Sequence, residues 1–359
     1  MNKYKILTIN PGSTSTKVAV FENEKNVFLK NIKHSAEELK NFKSIADQYE
    51  FRRNAVLEEL ETAGQNINDI DCIVGRGGLI KPIPSGVFEV NEDLKKDLIN
   101  APMGEHASNL GGLIAANIAE SLKGVKAYIA DPVVVDELED IARISGHPYF
   151  KRVSIFHALN QKAIARRYSS ENSLKYEDIN LIVAHLGGGI SIGAHLKGRV
   201  IDVNNALDGD GPFSPERSGT LPAGQLVSIC FGGKYTLEEM KKAVTGKGGF
   251  TAYLNTNDAY EVEMRAKNGD EYAQFISNAM AYQIAKEIGA AAAVLKGDVN
   301  AILLTGGIAY NKQFCSFIED MVKFIAPIKI YPGEDEMSAL AMNGLLLLQG
   351  EIEPKIYTR

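Results

Sequence analysis

The sequence has no tryptophan, three cysteines and no long apolar run. Because Cys72, Cys230 and Cys315 form no CxxC pair, the pattern predicts neither a disulfide framework nor a zinc site. Each cysteine stands among apolar or aromatic neighbours, which predicts three buried thiols in a reducing cytoplasm. The apolar stretches at 6–9 and 290–295 fall short of a signal-peptide core and of the ~20 residues of a membrane span. We therefore expect a cytoplasmic protein with no membrane partner.

The sequence also has no excess of positively charged residues. The chain has 39 Lys and Arg residues against 45 Asp and Glu residues, which gives a formal net charge of −6. Such a chain is a poor general binder of polyanions, so we expect no nucleic acid partner, although a local basic pocket for a phosphate or carboxylate is compatible with this charge. With 45% hydrophobic and 23% charged residues the composition is that of a globular protein, and 359 residues predict two domains.

Two common nucleotide-binding motifs are absent from the sequence. No GxxxxGKS/T segment occurs, because Gly246-Lys247 lacks both the upstream glycine and the following hydroxyl residue, and this excludes the P-loop class. The glycine run at 187–193 reads GGGISIG and leads into a predicted strand, so it does not match the dinucleotide-binding GxGxxG motif. A nucleotide site in this chain therefore needs glycine turns of another kind.

The sequence repeats one pattern at about half its length. A strand–turn–strand unit at 5–22, followed by a further predicted strand at 26–33, is similar to a unit of strands and turns at 180–203. The repeat places Asn10 over His185 and indicates a duplicated domain rather than a solenoid, whose periods are ~20–50 residues. Helices and strands then alternate in both halves. We predict helices at 53–63, 106–122, 269–295, 311–324, 335–348 and one beginning near 157, and strands at 71–74, 126–131, 300–305 and 328–331.

This order of elements predicts the fold class. Three strands followed by alternating helices and strands form a mixed α/β sheet flanked by helices, here once in each half. We assign 1–150 to an N-terminal domain, joined by the C-terminal segment 335–359, and 151–334 to a C-terminal domain that binds the nucleotide. Two such domains are expected to enclose a cleft, which is a common position for a ligand.

Asn10-Pro-Gly-Ser-Thr-Ser-Thr-Lys17 forms the turn of the first repeat. Its Gly12 lets a phosphate approach the backbone closely, and Ser13, Ser15 and Lys17 add donors and a charge. Asn10 has an amide that can orient a metal-bound water. An ordinary hairpin turn explains the same residues, so this segment indicates a phosphate site only in combination with two later segments.

Two later segments also end predicted strands in glycine. The first of these, at 187–189, has three successive glycines, and each glycine costs ~0.5–1 kcal/mol in an extended segment. Packing does not account for them, whereas a phosphate that approaches the backbone closely does. In the second, glycines let a flat group such as adenine lie against the backbone. Ordinary turns are the structural alternative for both. The candidate contacts are Gly187, Gly188 and Gly189 after His185 in the first, and Thr305, Gly306, Gly307 and Asn311 in the second.

In this order, the three segments are similar to the phosphate-1, phosphate-2 and adenosine segments of the actin, Hsp70 and sugar-kinase superfamily. Over essentially its whole length the chain further resembles the acetokinase family of acetate, propionate and butyrate kinases. The resemblance implies a duplicated RNase H-like fold and ATP- and Mg²⁺-dependent phosphorylation of a small carboxylic acid, with ADP as product. The matching stretches are Asn10-x-Gly-Ser-x-x-x-Lys17, Ala130-Asp131-Pro132, Phe156-His157, His185-Leu-Gly-Gly-Gly, Glu216-Arg217-Ser218-Gly219, Thr305-Gly-Gly-Ile308 and Glu334-Asp335-Glu336.

Within that family the chain looks like the butyrate kinases. Acetate kinases are typically longer and have an asparagine where this chain has Gly188, so a backbone N–H must replace that amide or one phosphate contact is lost. The all-glycine turn, the segment Lys81-Pro-Ile-Pro-Ser-Gly86 and the spacing Gly75-Arg-Gly-Gly78 favour butyrate. Acetate, propionate, isobutyrate, isovalerate and valerate stay open, because one methylene is worth only ~1–3 kcal/mol in an apolar pocket.

The resemblance also implies roles for individual residues. Arg217 matches the arginine that stabilises the transferring phosphoryl group, and His157 and His185 match histidines near the γ-phosphate. Asp131 matches the family's catalytic aspartate. Because a short fatty acid is already ionised at pH 7, we expect Asp131 to act through the Mg²⁺ shell and by aligning the acid, rather than as a base.

The remaining predicted residues bind the metal and the acid. Asn10 and a carboxylate of Asp335 or Glu336 are expected to complete the outer Mg²⁺ shell. Arg76, which lies between glycines at a predicted strand end, is the expected partner of the substrate carboxylate, because its fork binds carboxylates bidentately. The substrate arginine of the family lies in a differently spaced motif, HRVVHGG.

Two other functions remain as alternatives. A sugar kinase of the same superfamily would need Asp131 as a base for a hydroxyl group, whereas the cations Arg76 and Arg217 favour an anionic acceptor. A nucleotide-dependent switch of the actin or Hsp70 type would need a peptide-binding domain or a filament-forming insertion, and the sequence resembles neither. Because the family usually pairs through its second domain, the resemblance implies a homodimer or a multiple of dimers.

Overall fold

The computed structural model describes residues 3–359. By packing, the chain divides into two units. The first unit comprises residues 3–135 and Asp335–Arg359, and the second unit comprises Asp136–Glu334. This division lies before the domain boundary expected near residue 150, and the assignment of domains stays a prediction.

The described residues form short runs of strands and helices, which alternate strictly from Ala301 onwards. The strands are β1 (Lys5–Pro11), β2 (Ser15–Glu22), β3 (Lys25–Lys33), β4 (Cys72–Arg76), β5 (Val87–Glu89), β6 (Lys126–Ala130), β7 (Asn180–Leu186), β8 (Ile190–Leu196), β9 (Arg199–Val203), β10 (Ala301–Gly306) and β11 (Ile328–Pro332). The helices are α1 (Ala36–Leu39), α2 (Tyr49–Thr62), α3 (Glu92–Asn100), α4 (Asn109–Glu120), α5 (Ala158–Glu171), α6 (Ala223–Phe231), α7 (Leu237–Thr245), α8 (Gly249–Leu254), α9 (Ala259–Lys267), α10 (Glu271–Val294), α11 (Lys312–Val322) and α12 (Glu336–Gln349).

The sheet of the first unit has the strand order β3-β2-β1-β4-β6-β5. β1, β2 and β3 form an antiparallel ladder, β4 and β6 continue it parallel to β1, and β5 pairs antiparallel with β6. Leu7 and Ile73 belong to the core that the sheet forms with α2, α3 and α4. The alternate residues Ile6 and Val74 lie against α12 at Gly344. A larger residue at 344 would not fit, because its Cβ atom would lie only 2.9 Å from Val74 Cγ2.

The sheet of the second unit repeats this arrangement. Its order is β11-β10-β7-β8-β9, in which β7, β8 and β9 are antiparallel while β10 and β11 run parallel to β7. The same order and directions occur in β6-β4-β1-β2-β3, so the predicted duplication and the mixed α/β fold are confirmed. Asn10 in β1 and His185 in β7 are each the last residue but one of their strands.

Helices cover both faces of the second sheet. On one face, α10 buries Met280, Ile284 and Ile288 in the core that contains alternate residues of β7 and β10. On the other face, Ala165 of α5 packs with Leu181 and the remaining alternate residues of the same strands. Within residues 3–359, no helix combines the length and the apolar character needed to cross a membrane.

The sequence-based prediction omitted several elements and was wrong about one cysteine. It omitted β5, α1, α3 and the helices α6 to α9. Cys72 and Cys315 are buried, and burial raises the pKa of the Cys72 thiol to about 12 and that of Cys315 to about 11. Cys230 is exposed, because no residue of α6 is buried. The apolar sequence of α6 had suggested the opposite. The expectation of three buried thiols fails at this helix.

Candidate active site

The first glycine turn joins β1 to β2. The N–H of Gly12 donates to the carbonyl oxygen of Ser15 at 2.7 Å, which closes the turn. Ser13 is exposed, Ser15 is half-buried and Lys17 is exposed near the start of β2. The turn therefore presents several hydroxyl groups and one ammonium group within a short stretch of backbone, and the phosphate contact predicted from the sequence stays a prediction.

A buried arginine that sequence reasoning missed lies under this turn. Arg52 of α2 is 1% exposed and donates from Nη1 to the carbonyl oxygens of Gly12 and Ser15, at 2.7 and 3.0 Å. Its Nη2 donates to the carbonyl oxygen of Ser13 at 2.9 Å, and Gln48 Oε1 anchors the guanidinium. Three carbonyl dipoles that would repel an anion are thus directed at a buried cation. No turn or spacing in the sequence signals this contact.

Burial lowers the pKa of Arg52 to about 10, because the surrounding protein replaces the water that would solvate its charge. The group remains a cation at neutral pH. A positive charge under a glycine turn adds to the attraction that backbone N–H groups exert on an anion.

Glu336 joins two other predicted residues of the first unit. Its Oε2 accepts from Asn10 Nδ2 at 2.5 Å, and its Oε1 pairs with Arg76 Nη1. Arg76 ends β4, and its buried Nε has no hydrogen-bond partner within residues 3–359. Asp335 instead caps α12, since its Oδ1 accepts from the N–H of Ser338 at 2.9 Å. Of the two acidic candidates, Glu336 is the one in contact with Asn10 and Arg76.

Asp131 follows β6 in a strained backbone conformation. Its φ of 37° lies in the left-handed region, and Pro132 follows it. Such strain costs ~1–3 kcal/mol and is common at functional positions. The carboxylate is held by two donors, because Oδ1 accepts from Ser85 Oγ at 2.6 Å and from the N–H of Gly86 at 2.8 Å. These donors end the 81–86 segment, one of the features that favoured butyrate.

Two histidines of the second unit stack on each other. The rings of His157 and His185 have centroids 3.9 Å apart and planes 16° apart. His185 Nε2 lies 3.1 Å from Glu334 Oε1, and its buried Nδ1 has no hydrogen-bond partner in the part of the chain that the structure describes. His157 Nδ1 lies 2.9 Å from Ser191 Oγ.

The second glycine turn lies between His185 and Arg217. A Cβ atom at Gly187 would lie 3.0 Å from His185 Nε2, and one at Gly189 would collide with Arg217 Nη1. Gly188 is exposed, and its carbonyl oxygen accepts from Ser214 Oγ at 2.6 Å. A Cβ at Gly188 would meet no heavy atom of residues 3–359 within 4 Å beyond its neighbours, so packing does not require glycine there.

Arg217 is largely withdrawn from solvent. Its Nη1 donates to the carbonyl oxygen of Ala206 at 2.5 Å, and Nη2 lies 4.0 Å from Glu216 Oε1, at the limit of an ion pair. Burial lowers the pKa of Arg217 below its usual range, and the charge of Glu216 opposes this shift. Nε is buried and has no hydrogen-bond partner among the described residues. The guanidinium therefore keeps donor capacity beside the glycine turn.

The third segment leads from β10 through a 3₁₀ turn, Gly307–Tyr310, to α11. Thr305 Oγ1 donates to the carbonyl oxygen of Gly333 at 3.2 Å. Gly306 has a φ of 96°, and a Cβ there would collide with the backbone of Leu186, so the fold requires glycine. Gly307 is exposed, while the side chain of Asn311 caps α11 by accepting from the N–H of Phe314 at 3.0 Å.

Each unit thus collects part of the predicted site. In the first unit, Asn10, Arg76 and Glu336 are in contact, and Asp131 is held separately by the 81–86 segment. In the second unit, the glycine turn is bordered by one histidine of the stacked pair and by an arginine. Buried or half-buried cations beside glycine turns, together with histidine and carboxylate groups, suit the binding and transfer of a phosphoryl group.

Known proteins that are similar to this chain point to one family. Residues 149–333 match the model described as the acetokinase family. The chain is 60% identical over 355 residues to "Butyrate kinase 2" of Clostridium acetobutylicum, covering 99% of each chain. It is 56% identical over 353 residues to "Probable butyrate kinase" of Bacteroides thetaiotaomicron, covering 98% of this chain and 99% of that protein.

A solved structure shows the same fold at much lower identity. The crystal structure of Porphyromonas gingivalis acetate kinase superposes with a TM-score of 0.79, covering 96% of this chain and 100% of that chain at 18% identity. This likeness concerns the fold, whereas the identity to the two relatives above extends over almost every element described here. With a family match over half the chain and relatives more than half identical along nearly all of it, the chain belongs to the acetokinase family.

Proposed function

We propose that this protein phosphorylates the carboxylate of butyrate with ATP and forms butanoyl phosphate and ADP. The observation that carries the proposal is the 60% identity, over 99% of the chain, to a relative named as a butyrate kinase. Isobutyrate, isovalerate, valerate, propionate and acetate are the alternative acids, because pockets discriminate weakly between acids that differ by one methylene.

The proposed reaction needs positive charge rather than a base. A carboxylate oxygen attacks the γ-phosphorus while the bond to the β–γ bridging oxygen breaks, and the electron pair of that bond leaves with ADP. No proton is transferred, because the acid is ionised at pH 7. Support comes from Arg76 and Arg217, each of which has a buried Nε that lacks a hydrogen-bond partner within residues 3–359. We assign Arg76 to the acid and Arg217 to the transferring phosphoryl group.

Phosphate and adenosine contacts are assigned to the three glycine segments. The backbone and hydroxyl groups of the first two segments would bind phosphates, and the backbone around Gly307 would lie against the adenosine. His157 and His185 would donate to charge that develops on the phosphoryl group. The proposed nucleotide contacts are Gly12, Ser13, Ser15, Lys17, Gly187, Gly188, Gly189, Thr305, Gly306, Gly307 and Asn311.

The contact between Asn10 and Glu336 fits a magnesium ion that keeps most of its waters. Mg²⁺ prefers oxygen ligands and is commonly held by one or two protein groups together with substrate phosphates. The carboxamide of Asn10 and the carboxylate of Glu336 are in contact with each other, and both group types can bind the waters of such an ion. We therefore propose Asn10 and Glu336 for the outer shell, with Asp131 aligning the acid. The bound ion would neutralise charge on the β- and γ-phosphates.

The test of this function is acyl-phosphate formation trapped as the hydroxamate, with ATP and Mg²⁺. The panel contains acetate, propionate, butyrate, isobutyrate, isovalerate and valerate, with glucose and glycerol as controls. We expect the highest kcat/KM with butyrate and loss of activity when a chelator removes Mg²⁺. A maximum with acetate would support the phosphorylation of a carboxylic acid but contradict butyrate as the preferred acid. Glucose phosphorylation would support a sugar kinase, and ATP binding without turnover of any acceptor would support a nucleotide switch.

We further propose a cytoplasmic homodimer, or a multiple of it, that pairs through the second unit. The support is α6, where Val227 is 56% and Phe231 is 87% exposed although the helix is apolar. Exposed apolar patches of this kind are common at protein interfaces. Light scattering should give a dimer or a multiple, and Phe231→Asp should lower the mass. Phe324→Asp is the matched control, since Phe324 is also exposed (82%) but lies outside α6.

A further inference from the structure

A row of buried polar side chains in the second unit ends at His157. We call Ser191, Gln161, His195 and Tyr176 the buried row, and they are 0%, 0%, 0% and 4% exposed. Ser191 Oγ lies 2.9 Å from His157 Nδ1 and 2.8 Å from Gln161 Nε2. Gln161 Oε1 lies 2.9 Å from His195 Nε2, and His195 Nδ1 lies 2.7 Å from the hydroxyl oxygen of Tyr176. The ring of His157 is thus connected to the interior through four consecutive hydrogen bonds.

The fold makes room for this row at one glycine. A Cβ atom on Gly193 of β8 would collide with Gln161 Oε1 and would lie 3.0 Å from His195 Nε2. Any larger residue at position 193 would therefore push the amide and the imidazole apart. The contact between α5 and β8 is built to accommodate the pair.

The direction of the hydrogen bonds is fixed at Gln161. Its Nε2 lies 3.0 Å from the backbone carbonyl oxygen of Ser191, which can only accept a hydrogen bond. A reversed amide would place two acceptor oxygens at that distance. The nitrogen of Gln161 therefore faces Ser191, and the oxygen faces His195.

This orientation determines the tautomer of His195. Because Gln161 Oε1 can only accept, His195 Nε2 must carry the proton. Complete burial, followed by the nearby charges of Lys162 and Arg166, lowers the pKa of His195 well below its usual range, so the ring is neutral. Its Nδ1 is then an acceptor for the hydroxyl group of Tyr176.

The same reasoning extends to His157. Ser191 Oγ accepts from Gln161 Nε2, and the backbone N–H of His157 approaches the same oxygen at 3.4 Å. The hydroxyl proton of Ser191 is therefore available to donate to His157 Nδ1. A neutral imidazole whose Nδ1 accepts has its proton on Nε2.

We propose that the buried row holds His157 in the Nε2–H tautomer, so that the ring offers a donor at Nε2 and not at Nδ1. Ser191 and Gln161 are then positioning residues that act through His157. The catalytic consequence rests on the function proposed above, in which His157 donates to the phosphoryl group. A ring that flipped or changed tautomer would present an acceptor to a developing negative charge.

The direct test is the ¹⁵N spectrum of the full-length protein with labelled histidine. We expect His157 and His195 to be entirely Nε2–H in the wild-type protein. In Ser191→Ala and in Gln161→Met, His157 should show a mixture of tautomers, because Nδ1 has lost its donor or the donor is free to rotate. The Nδ1–H form of His157 in the wild type, or an unchanged tautomer in both variants, would overturn the proposal.

Kinetics provide a second readout. We expect Ser191→Ala to lower kcat by about 10–100-fold with little change in KM for ATP, less than the ~10²–10³-fold loss for removing a transition-state donor outright. Ser191→Thr keeps the hydroxyl group and should restore kcat. Ser169→Ala is the matched control, because Ser169 is also a buried hydroxyl residue of the second unit but donates to Ala165 in α5.

These measurements separate the two proposals. A wild-type protein that forms no acyl phosphate but has His157 fixed as Nε2–H would refute the proposed function and retain the tautomer assignment. An active enzyme whose His157 is Nδ1–H would do the reverse. If Ser191→Ala does not fold, the wild-type spectrum and Gln161→Met still decide the tautomer.

Discussion

Gly188 and Gly189 are neighbours in the turn after β7, but a side chain would meet different surroundings at the two positions. At 188 a Cβ atom has open space within the described chain, whereas at 189 it would collide with Arg217 Nη1. We expect Gly188→Ala to keep a near wild-type kcat but to raise KM for ATP, because the methyl group adds bulk where a phosphate is proposed to approach the backbone. Gly189→Ala should displace Arg217 and lower kcat by up to ~10²–10³-fold, the loss typical of one transition-state donor.

Steady-state kinetics and thermal unfolding of both variants check this prediction. The comparison isolates the effect of displacing the Arg217 guanidinium, because the two substitutions add the same methyl group to the same turn. Equal losses of kcat at 188 and 189 would mean that the flexibility of the turn, and not the position of Arg217, controls the rate.

The carboxylate of Asp131 is suited to orientation rather than to proton transfer. An asparagine has the same shape and keeps the oxygen that accepts from Ser85 and Gly86, so Asp131→Asn should fold like the wild type. We expect kcat to fall by at least ~10²-fold and not to recover as the pH is raised, because an ionised acid needs no base. The measurement is the pH profile of kcat in wild type and variant. Recovery at high pH would identify Asp131 as a base and favour a hydroxyl acceptor.

At the scale of elements, α2 holds the first glycine turn through one side chain. Arg52 binds three carbonyl oxygens of the turn, whereas the adjacent Arg53 contacts Asn54 and Asn117 instead. We expect Arg52→Met to raise KM for ATP by about 10-fold, because the turn would lose the buried positive charge beneath it and three of its carbonyl oxygens would lose their donor. Arg53→Met is the matched control and should leave KM unchanged.

Kinetics and unfolding together decide the role of Arg52. A variant with a lower Tm but an unchanged KM for ATP would show that the arginine serves the fold alone. Arg52→Lys keeps the charge but not the fork, so a partial recovery of KM would separate the charge from the geometry.

The sequence predicted the elements that carry strong local signals. Apolar runs bounded by glycine turns predicted β1, β2, β7 and β8, because burial on a sheet requires such runs. Arg52 could not be predicted in the same way, since its contacts to Ser13 and Gly12 join residues 39 and 40 positions apart. The contact between Asn10 and Glu336 was hidden for the same reason, because it joins residues 326 positions apart. Among the helices that the sequence did not predict, α6 and α7 have no buried residue and α9 buries only Val262, so little burial against the core marks them.

At the scale of the whole molecule, net charge and local charge have opposite signs. The chain has a formal net charge of −6, yet its proposed substrates are a carboxylate and a polyanionic nucleotide. Arg52, Arg76 and Arg217 are withdrawn from solvent beside glycine turns or at a strand end, where their fields are screened less than those of surface charges. The attraction for anions is therefore concentrated in a few positions, while a net charge of −6 makes the chain a poor general binder of polyanions.

The exposed thiol on α6 can be used to test whether this helix lies in a dimer interface. Cys230 is exposed on α6, whereas Cys72 and Cys315 are buried with raised thiol pKa values. A thiol-specific reagent should therefore modify one cysteine in the native single chain and all three cysteines of the sequence in denaturant. If α6 forms the proposed dimer interface, the reaction at Cys230 should slow as the protein concentration rises through the dissociation constant, because the free chain is the reactive species. The measurement is the rate of labelling over a dilution series, with the mass followed by light scattering. A dimer whose Cys230 reacts at the same rate at every concentration would place the interface away from α6.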